Sequence, residues 1–309
     1  MRRVRSASTH DPALREPQGT LREPPGAIEI TLLGTGSPIY INGRYSASTL
    51  IHAGGEYLLI DCGRGAGIRI HEAGLHPGNI NKLFLTHLHS DHVVGIPDFY
   101  ITGWFTTFAR RQGPLRVWGP KGSAAMMSHL DSAFDFDMQV RAPEMRVQPN
   151  ANETRDIGPG EVFNEGGIRV TAFEVDHRPV APAFGYKIEY AGRTVVLSGD
   201  TRLTEAVAEH GAGADVLIHE VICGHKENSP DPEAFERIIA HHTTPQEAGT
   251  VFARAKPRLA VYSHLTMITG ATVEDVEAQT RETYDGPLLV GEDLTRITVG
   301  DEITVERLR

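Results

Sequence analysis

The sequence predicts an α/β protein of mixed β-sheets covered by helices. Three observations carry that expectation. Strand-like runs cluster in each half of the chain, helical runs fall between the later strands, and 32 glycines in 309 residues supply tight turns between them. A chain of this length buries a large core, as one big domain or as two fused halves. Its composition, 40% hydrophobic and 23% charged, is that of a globular protein.

Residues 1–26 are rich in Arg, Glu and Pro and read as a flexible tail, which leaves 27–309 as the folded domain. Ile28–Leu33 alternates and then runs apolar into Gly34-Thr-Gly-Ser-Pro38, a strand ending in a turn. Residues 48–53 and 56–61 flank Gly54-Gly55 and predict a hairpin. A helix is expected over 66–73, ended by Gly74. Lys82–Thr86 has strand character, and Val93–Ile96 could begin a helix. Leu115–Trp118 predicts a strand, and Ser123 is placed as the cap of a helix reaching about Phe134. A polar Pro- and Gly-bearing stretch near 148–160 reads as a seam within one domain. Beyond it, 168–175, 184–190 and 193–197 read as strands, 203–210 as a helix and 215–218 as a buried strand. Thr244 and Pro245 open a helix over 245–255. A strand at 259–262, a helix from Thr272 to about Thr283, and a hairpin over 296–305 complete the reading. The three antiparallel-looking strands in each half hint at duplication.

The chemistry concentrates in Thr86-His87-Leu88-His89-Ser90-Asp91-His92, which packs three imidazoles and a carboxylate into six residues. Neutral imidazole is the commonest metal ligand, and a carboxylate among imidazoles suits zinc, manganese or iron. The run follows a strand, and open α/β sheets place their sites at the carboxyl ends of strands. Three further ligand-type residues also follow apolar strands: His177, Asp200 and His264.

In that order, HxHxDH, then His, then Asp, then His, the chain resembles the metallo-β-lactamase superfamily over about residues 28–309. The resemblance implies an αββα four-layer sandwich of two mixed β-sheets flanked by helices. It implies two divalent ions, zinc by default with manganese or iron as alternatives. His87, His89 and His177 would hold one ion; Asp91, His92 and His264 would hold the other. Asp200 would bridge them beside a shared hydroxide. Two cations about 3.5–4 Å apart activate a bridging water and stabilise attacking and leaving oxygens. Asp91, beside that nucleophile, could orient it or take its proton. Asp61 matches a family position that supports the ligand loop.

Ile218-His219-Glu220-Val221 and His242-Thr243-Thr244 resemble motifs of the ribonuclease Z and arylsulfatase-like branch, with Val221 and Ile222 in place of Ala and Thr. There a Glu–His pair protonates the leaving oxygen, so the resemblance gives Glu220 and His242 the catalytic role, with Asp91 completing the relay. Asp98 and Gly119-Pro-Lys-Gly122 are also similar to that branch. A carboxylate beside an imidazole raises its pKa and makes it a proton donor near neutrality.

One departure matters. Many ribonuclease Z enzymes carry a long Gly/Pro-rich arm between the third and fourth ligand motifs, where it grips transfer RNA. Here the interval from His177 to Asp200 is filled by two expected strands and a turn. A formal charge of −10 also disfavours indiscriminate nucleic-acid binding. The expected activity is hydrolysis of a phosphodiester or related sulfate ester of a small molecule, with RNA disfavoured. The alternatives are transfer-RNA 3′ processing, a lactonase, or a non-catalytic metal-dependent binding module. A short arm elsewhere stays open, since 105–116 holds Arg110, Arg111 and Arg116. Arg141 is weighed as an anion contact against a solvent-facing role. Trp104, Phe105 and Phe108 are weighed as pocket walls against core packing. No run is long enough to span a membrane. Cys62 and Cys223 lack metal or disulfide spacing and read as buried thiols in a reducing compartment, so a cytoplasmic protein is expected, with a homodimer among its possible states.

Overall fold

The computed structural model describes residues 26–105 and 109–308. The segment expected to be a tail, up to residue 25, and Phe108 lie outside the described residues.

Among the described residues fifteen strands form two mixed sheets. The first half supplies β1 (Ile28–Gly34), β2 (Ser48–Ala53), β3 (Glu56–Ile60), β4 (Lys82–Phe84), β5 (Leu115–Gly119) and β6 (Asn152–Asp156). The second supplies β7 (Gly160–Glu165), β8 (Ile168–Glu174), β9 (Phe184–Tyr190), β10 (Arg193–Leu197), β11 (Val216–Gly224), β12 (Leu259–Ile268) and β13 (Leu288–Val290). The closing hairpin, β14 (Thr295–Val299) and β15 (Ile303–Arg307), returns to the first sheet beside β1. In each half an antiparallel trio, β1–β3 or β8–β10, is followed by parallel strands, β4–β6 or β11–β13. The hint of duplication in the sequence reflects this repeated order.

Helices cover both outer faces. Against the first sheet lie α1 (Ala66–Glu72), α2 (Ser90–Val93), α3 (Ile96–Phe105) and α4 (Ser123–Met145). Against the second lie α5 (Glu205–His210), α7 (Pro245–Ala255) and α8 (Val273–Thr280), while α6 (Pro232–Ile239) sets Phe235 beside Gly224 at the end of β11. The central core joins side chains from both sheets, among them Ile30, Ile51, Ile60, Phe84, Tyr186, Val195 and Ile218. The result is an αββα sandwich. Phe84 stacks on Trp118 at 4.6 Å and meets Tyr186 of the other sheet edge-on at 5.7 Å. Tyr186 Oη donates to the Leu85 carbonyl at 2.7 Å, tying the sheets together just below the histidine-rich loop.

Three expectations need correcting. Ser123 does not cap α4: Gly122 precedes it, Ser123 Oγ donates to the Pro120 carbonyl, and the Asp156 carboxylate accepts from the Gly122 and Ala124 amides. The helix also runs to Met145, because nothing from Asp135 to Ala142 breaks it and Pro143 falls in the final turn. The polar seam is two short edge strands, β6 and β7, through which the chain crosses from one sheet to the other. Thr244 and Thr272 do cap their helices, each in a capping box.

Candidate dinuclear metal centre

The parallel strands of both sheets point their carboxyl ends to the same edge of the sandwich. β4 leads to His87 and α2, β8 to His177, and β10 to Asp200; β12 carries His264. The pairing of β11 with β12 slips between His219 and Val221, so that Ser263 and His264 face Glu220 alone. This bulge, with His264 in the left-handed region at φ 48°, turns Glu220 and His264 inward from a strand that would otherwise bury them in the sheet.

The side chains converge on Asp200. Its Oδ2 lies 3.4 Å from His92 Nε2, 3.4 Å from His264 Nε2, 3.9 Å from His87 Nε2 and 4.0 Å from His177 Nε2. His177 Nε2 is 3.3 Å from His89 Nδ1, and His264 Nε2 is 3.1 Å from Asp91 Oδ2. Two ligand-type groups result, His87–His89–His177–Asp200 and Asp91–His92–His264, with Asp200 also close to His264 and His242. Most members are buried, whereas His89 is exposed and marks the open side.

Whether these residues fit metal is decided by their outward-facing nitrogens. His92 Nδ1 is bonded to Asp61 Oδ2 at 2.8 Å, and His177 Nδ1 donates to the His241 carbonyl at 2.9 Å. Thr86 Oγ1 donates to Asp61 Oδ2 at 2.8 Å, which leaves it to accept from His87 Nδ1 at 3.0 Å. In the His87 and His177 rings the hydrogen sits on Nδ1, so Nε2 presents a lone pair to the centre. His92, which burial pulls down but Asp200 and Asp61 hold well above the ordinary imidazole value, keeps its Nδ1 hydrogen on Asp61 and would give up the one on Nε2 to a cation. Among the described residues His87 Nε2, His92 Nε2 and Asp200 Oδ1 are buried there without a hydrogen-bond partner. Inward lone pairs on rings fixed from behind are what divalent cations require. Burial works to raise the Asp200 pKa, but the surrounding imidazoles of His264, His92 and His87 outweigh it and hold the carboxylate well below its ordinary range. Burial, together with the neighbouring imidazoles, keeps His87 neutral.

Asp61 holds the loop as well as His92. Its Oδ1 accepts from the Thr86 amide at 2.8 Å, and its backbone takes φ 58° at the end of β3. The α2 segment docks on the next residues, with Cys62 N donating to the His92 carbonyl at 2.8 Å. A Cβ on Gly63 would overlap the Asp91 carbonyl, so glycine alone permits this approach.

Glu220 joins the two remaining loops. Oε1 accepts from the amides of Thr243 at 2.9 Å and Thr201 at 3.3 Å, while Oε2 lies 3.3 Å from His242 Nδ1. Thr243 Oγ1 adds a 2.6 Å bond to the Thr201 carbonyl. Burial pulls the His242 imidazole down, but Glu220 and, behind it, Asp200 prevail and hold it at about 9. Sequence reasoning did not find Thr86, Thr243 or the His241 carbonyl, since their contributions are single hydrogen bonds made after folding.

Other singled-out residues lie elsewhere. Asp98 accepts from Thr102 on α3, and His219 is buried with Nδ1 donating to the Glu220 carbonyl. Arg141 pairs with Asp137 and covers the Phe105 ring, so it is not turned to a substrate. Trp104 is core, and Phe105 packs against the same cluster. The short basic arm is also corrected: Arg111 is buried, and Arg116 pairs with Glu165 on β7. Cys62 and Cys223 are buried free thiols, as expected. Among the described residues no helix is long and apolar enough to cross a membrane.

Fold and donor set together define a metal-dependent ester hydrolase of the metallo-β-lactamase superfamily, similar to ribonuclease Z. Ribonuclease Z of Mycobacterium marinum is 37% identical over 276 residues, covering 88% of this chain and 99% of its own. The metallo-β-lactamase fold protein YhfI from Bacillus subtilis superposes with a TM-score of 0.69 at 14% identity, covering 91% of this chain and 100% of its own. The short form of human tRNase Z gives 0.66 at 22%, covering 88% and 99%. The family model described as Anti-Pycsar protein Apyc1 matches residues 28–229, well over half of the chain, and the chain belongs to that family.

Proposed function

We propose that this protein hydrolyses the phosphodiester of a small molecule, with related sulfate esters as its nearest alternative. One observation carries the reading: a single carboxylate oxygen, on Asp200, lies within 4.0 Å of four imidazole nitrogens drawn from both halves of the chain. His87, His89 and His177 would hold one divalent ion, Asp91, His92 and His264 the other, and Asp200 both. Imidazole and carboxylate donors favour zinc, and also accept manganese or iron. Bound there, such ions supply Lewis acidity, making water nucleophilic at neutral pH and offsetting charge on the reacting oxygens.

The chain's own residues do the rest. Asp61 and Thr86 hold His92 and His87 in the tautomer that offers Nε2. Asp91 sits beside His264 and orients the attacking water. His242, backed by Glu220, carries the proton that the leaving oxygen needs. Glu220 also fixes the backbone on both sides, so Asp200 and His242 keep a constant separation.

A small substrate is favoured over transfer RNA. The residues between His177 and Asp200 are taken up by β9, β10 and their turn, which leaves no arm to grip a folded RNA. The net charge of −10 points the same way. The test is a comparison on metal-analysed protein of bis(p-nitrophenyl) phosphate, an aryl sulfate, a lactone and a precursor transfer RNA. Turnover of the diester with feeble RNA cutting is expected. Efficient, site-specific cleavage of the precursor would overturn the small-molecule reading, and no turnover of any ester would overturn the hydrolase itself.

A further inference from the structure

At the end of the first sheet opposite the metal centre, the chain gathers three guanidinium groups. Residues 109–114 place Arg110 and Arg111 before β5, and Arg146 closes α4 in the left-handed conformation, at φ 55°. Arg111 is buried. Its Nε donates to the Ile80 carbonyl at 3.0 Å, Nη1 to Tyr100 and Nη2 to Phe99, both at 3.2 Å. A Cβ on Gly103 would overlap Arg111 Nη2, so α3 gives up a side chain to admit the guanidinium. Among the described residues no carboxylate pairs with it, and burial pushes its pKa down to about 10. Arg110 is half-buried, and its Nε is buried without a hydrogen-bond partner among the described residues.

These three arginines line a cavity of about 410 Å³, walled by Trp104, Pro114 and Pro149. Among the described residues no Asp or Glu lines it. In a chain of formal charge −10 that is a marked local reversal of sign. Arg111 is buried against three carbonyls, with no acid among the described residues lining the cavity, so an anion there would complement its charge. We propose that this cavity binds a small phosphate-bearing anion of the pyrophosphate class. Arg110 and Arg146 would make the contacts, since a guanidinium presents a fork of donors matched to phosphate oxygens. Arg111, with each of its three nitrogens already donating to a carbonyl, would contribute a fixed positive field. The volume falls within the range of small-molecule sites. Single-stranded RNA is disfavoured because Trp104 is only 5% exposed and donates its indole N–H to the Gln148 carbonyl at 2.9 Å. The ring is a wall and offers no face on which a base could stack.

The test is calorimetric titration of the full-length, metal-loaded protein with pyrophosphate, beside the double variant Arg110→Gln, Arg146→Gln. The wild type is expected to take up one equivalent more than the variant, while turnover of bis(p-nitrophenyl) phosphate stays within about twofold. Equal stoichiometry and affinity in the two proteins would overturn the proposal. So would an oligoribonucleotide that displaces pyrophosphate and depends on the same arginines, since the cavity would then be part of a nucleic-acid surface. The titration reads the cavity whether or not the ester is hydrolysed, so failure of the hydrolase reading is told apart from failure of this one.

Discussion

Replacing Asp61 by asparagine removes one acceptor from behind the metal site and keeps the shape of the side chain. The carboxylate accepts three hydrogen bonds, each 2.8 Å long: the Thr86 amide on Oδ1, and Thr86 Oγ1 and His92 Nδ1 on Oδ2. An asparagine carbonyl keeps the first. Its NH2 group, standing where Oδ2 was, faces two donors. His92 must then lose its partner or move its hydrogen to Nε2, where it meets Asp200 Oδ2 at 3.4 Å instead of a cation. A hydrogen bond to a charged group contributes about 1.5–3 kcal/mol. That corresponds to about 10–100-fold in affinity, the range seen when the support behind a metal-bound histidine is removed. The loss should fall on the ion that Asp91, His92 and His264 would hold. The ion near His87 should weaken less, because Asp61 reaches His87 only through Thr86. Competition titration against a chromophoric chelator resolves the two affinities. If both are unchanged in Asp61→Asn, the tautomer of His92 is not set by Asp61 and the account of the donor set fails.

His242→Ala should slow esters with poor leaving groups by about 100-fold or more and spare p-nitrophenyl esters; equal slowing across a leaving-group series would remove its acid role. The donor is the protonated form, and Glu220 holds that imidazole at about 9 against burial. Turnover of poor leaving groups should therefore persist at neutral pH and be lost as pH rises through about 9, with that limb absent from the pH–kcat profile of His242→Ala. Thr243→Val removes the 2.6 Å bond to the Thr201 carbonyl. It should destabilise the fold by about 1–3 kcal/mol in urea titration and lower kcat, with Thr243→Ser restoring both. Phe84→Ala, deep between Trp118 and Tyr186, should cost about 3–5 kcal/mol by the same titration; a cost below 1 would mean that the two sheets are not locked there.

The ligand-type residues were legible because each follows an apolar run, although β12 continues through His264 to Ile268, and strands of one direction end on one edge. His87, His177 and Asp200 could thus be read singly and grouped by motif. Glu220 could be named from its neighbours Ile218, His219 and Val221, but its grip on two backbone amides could not, because it depends on a bulge between β11 and β12 that leaves no mark in the local pattern. The edge strands β6 and β7 went unread for a related reason. Asn152–Asp156 has no apolar alternation, and backbone pairing alone holds it beside β5. The length of α4 escaped because its second half is polar with exposed Phe136 and Val140, so no stripe announces it. Arg111 looked like part of a surface arm, since a sequence does not show that Gly103 opens a berth for it.

The crossing from β6 to β7 spans only residues 157–159, yet it divides the donor set. His87, His89, Asp91 and His92 lie before it; His177, Asp200 and His264 lie after it. A polypeptide severed there would yield two fragments, neither able to complete the cluster, and the second would carry the β14–β15 hairpin that belongs beside β1 of the first. Divalent ions would then act as the rivet for reassembly, and fragment complementation would become a direct gauge of how tightly the cluster closes.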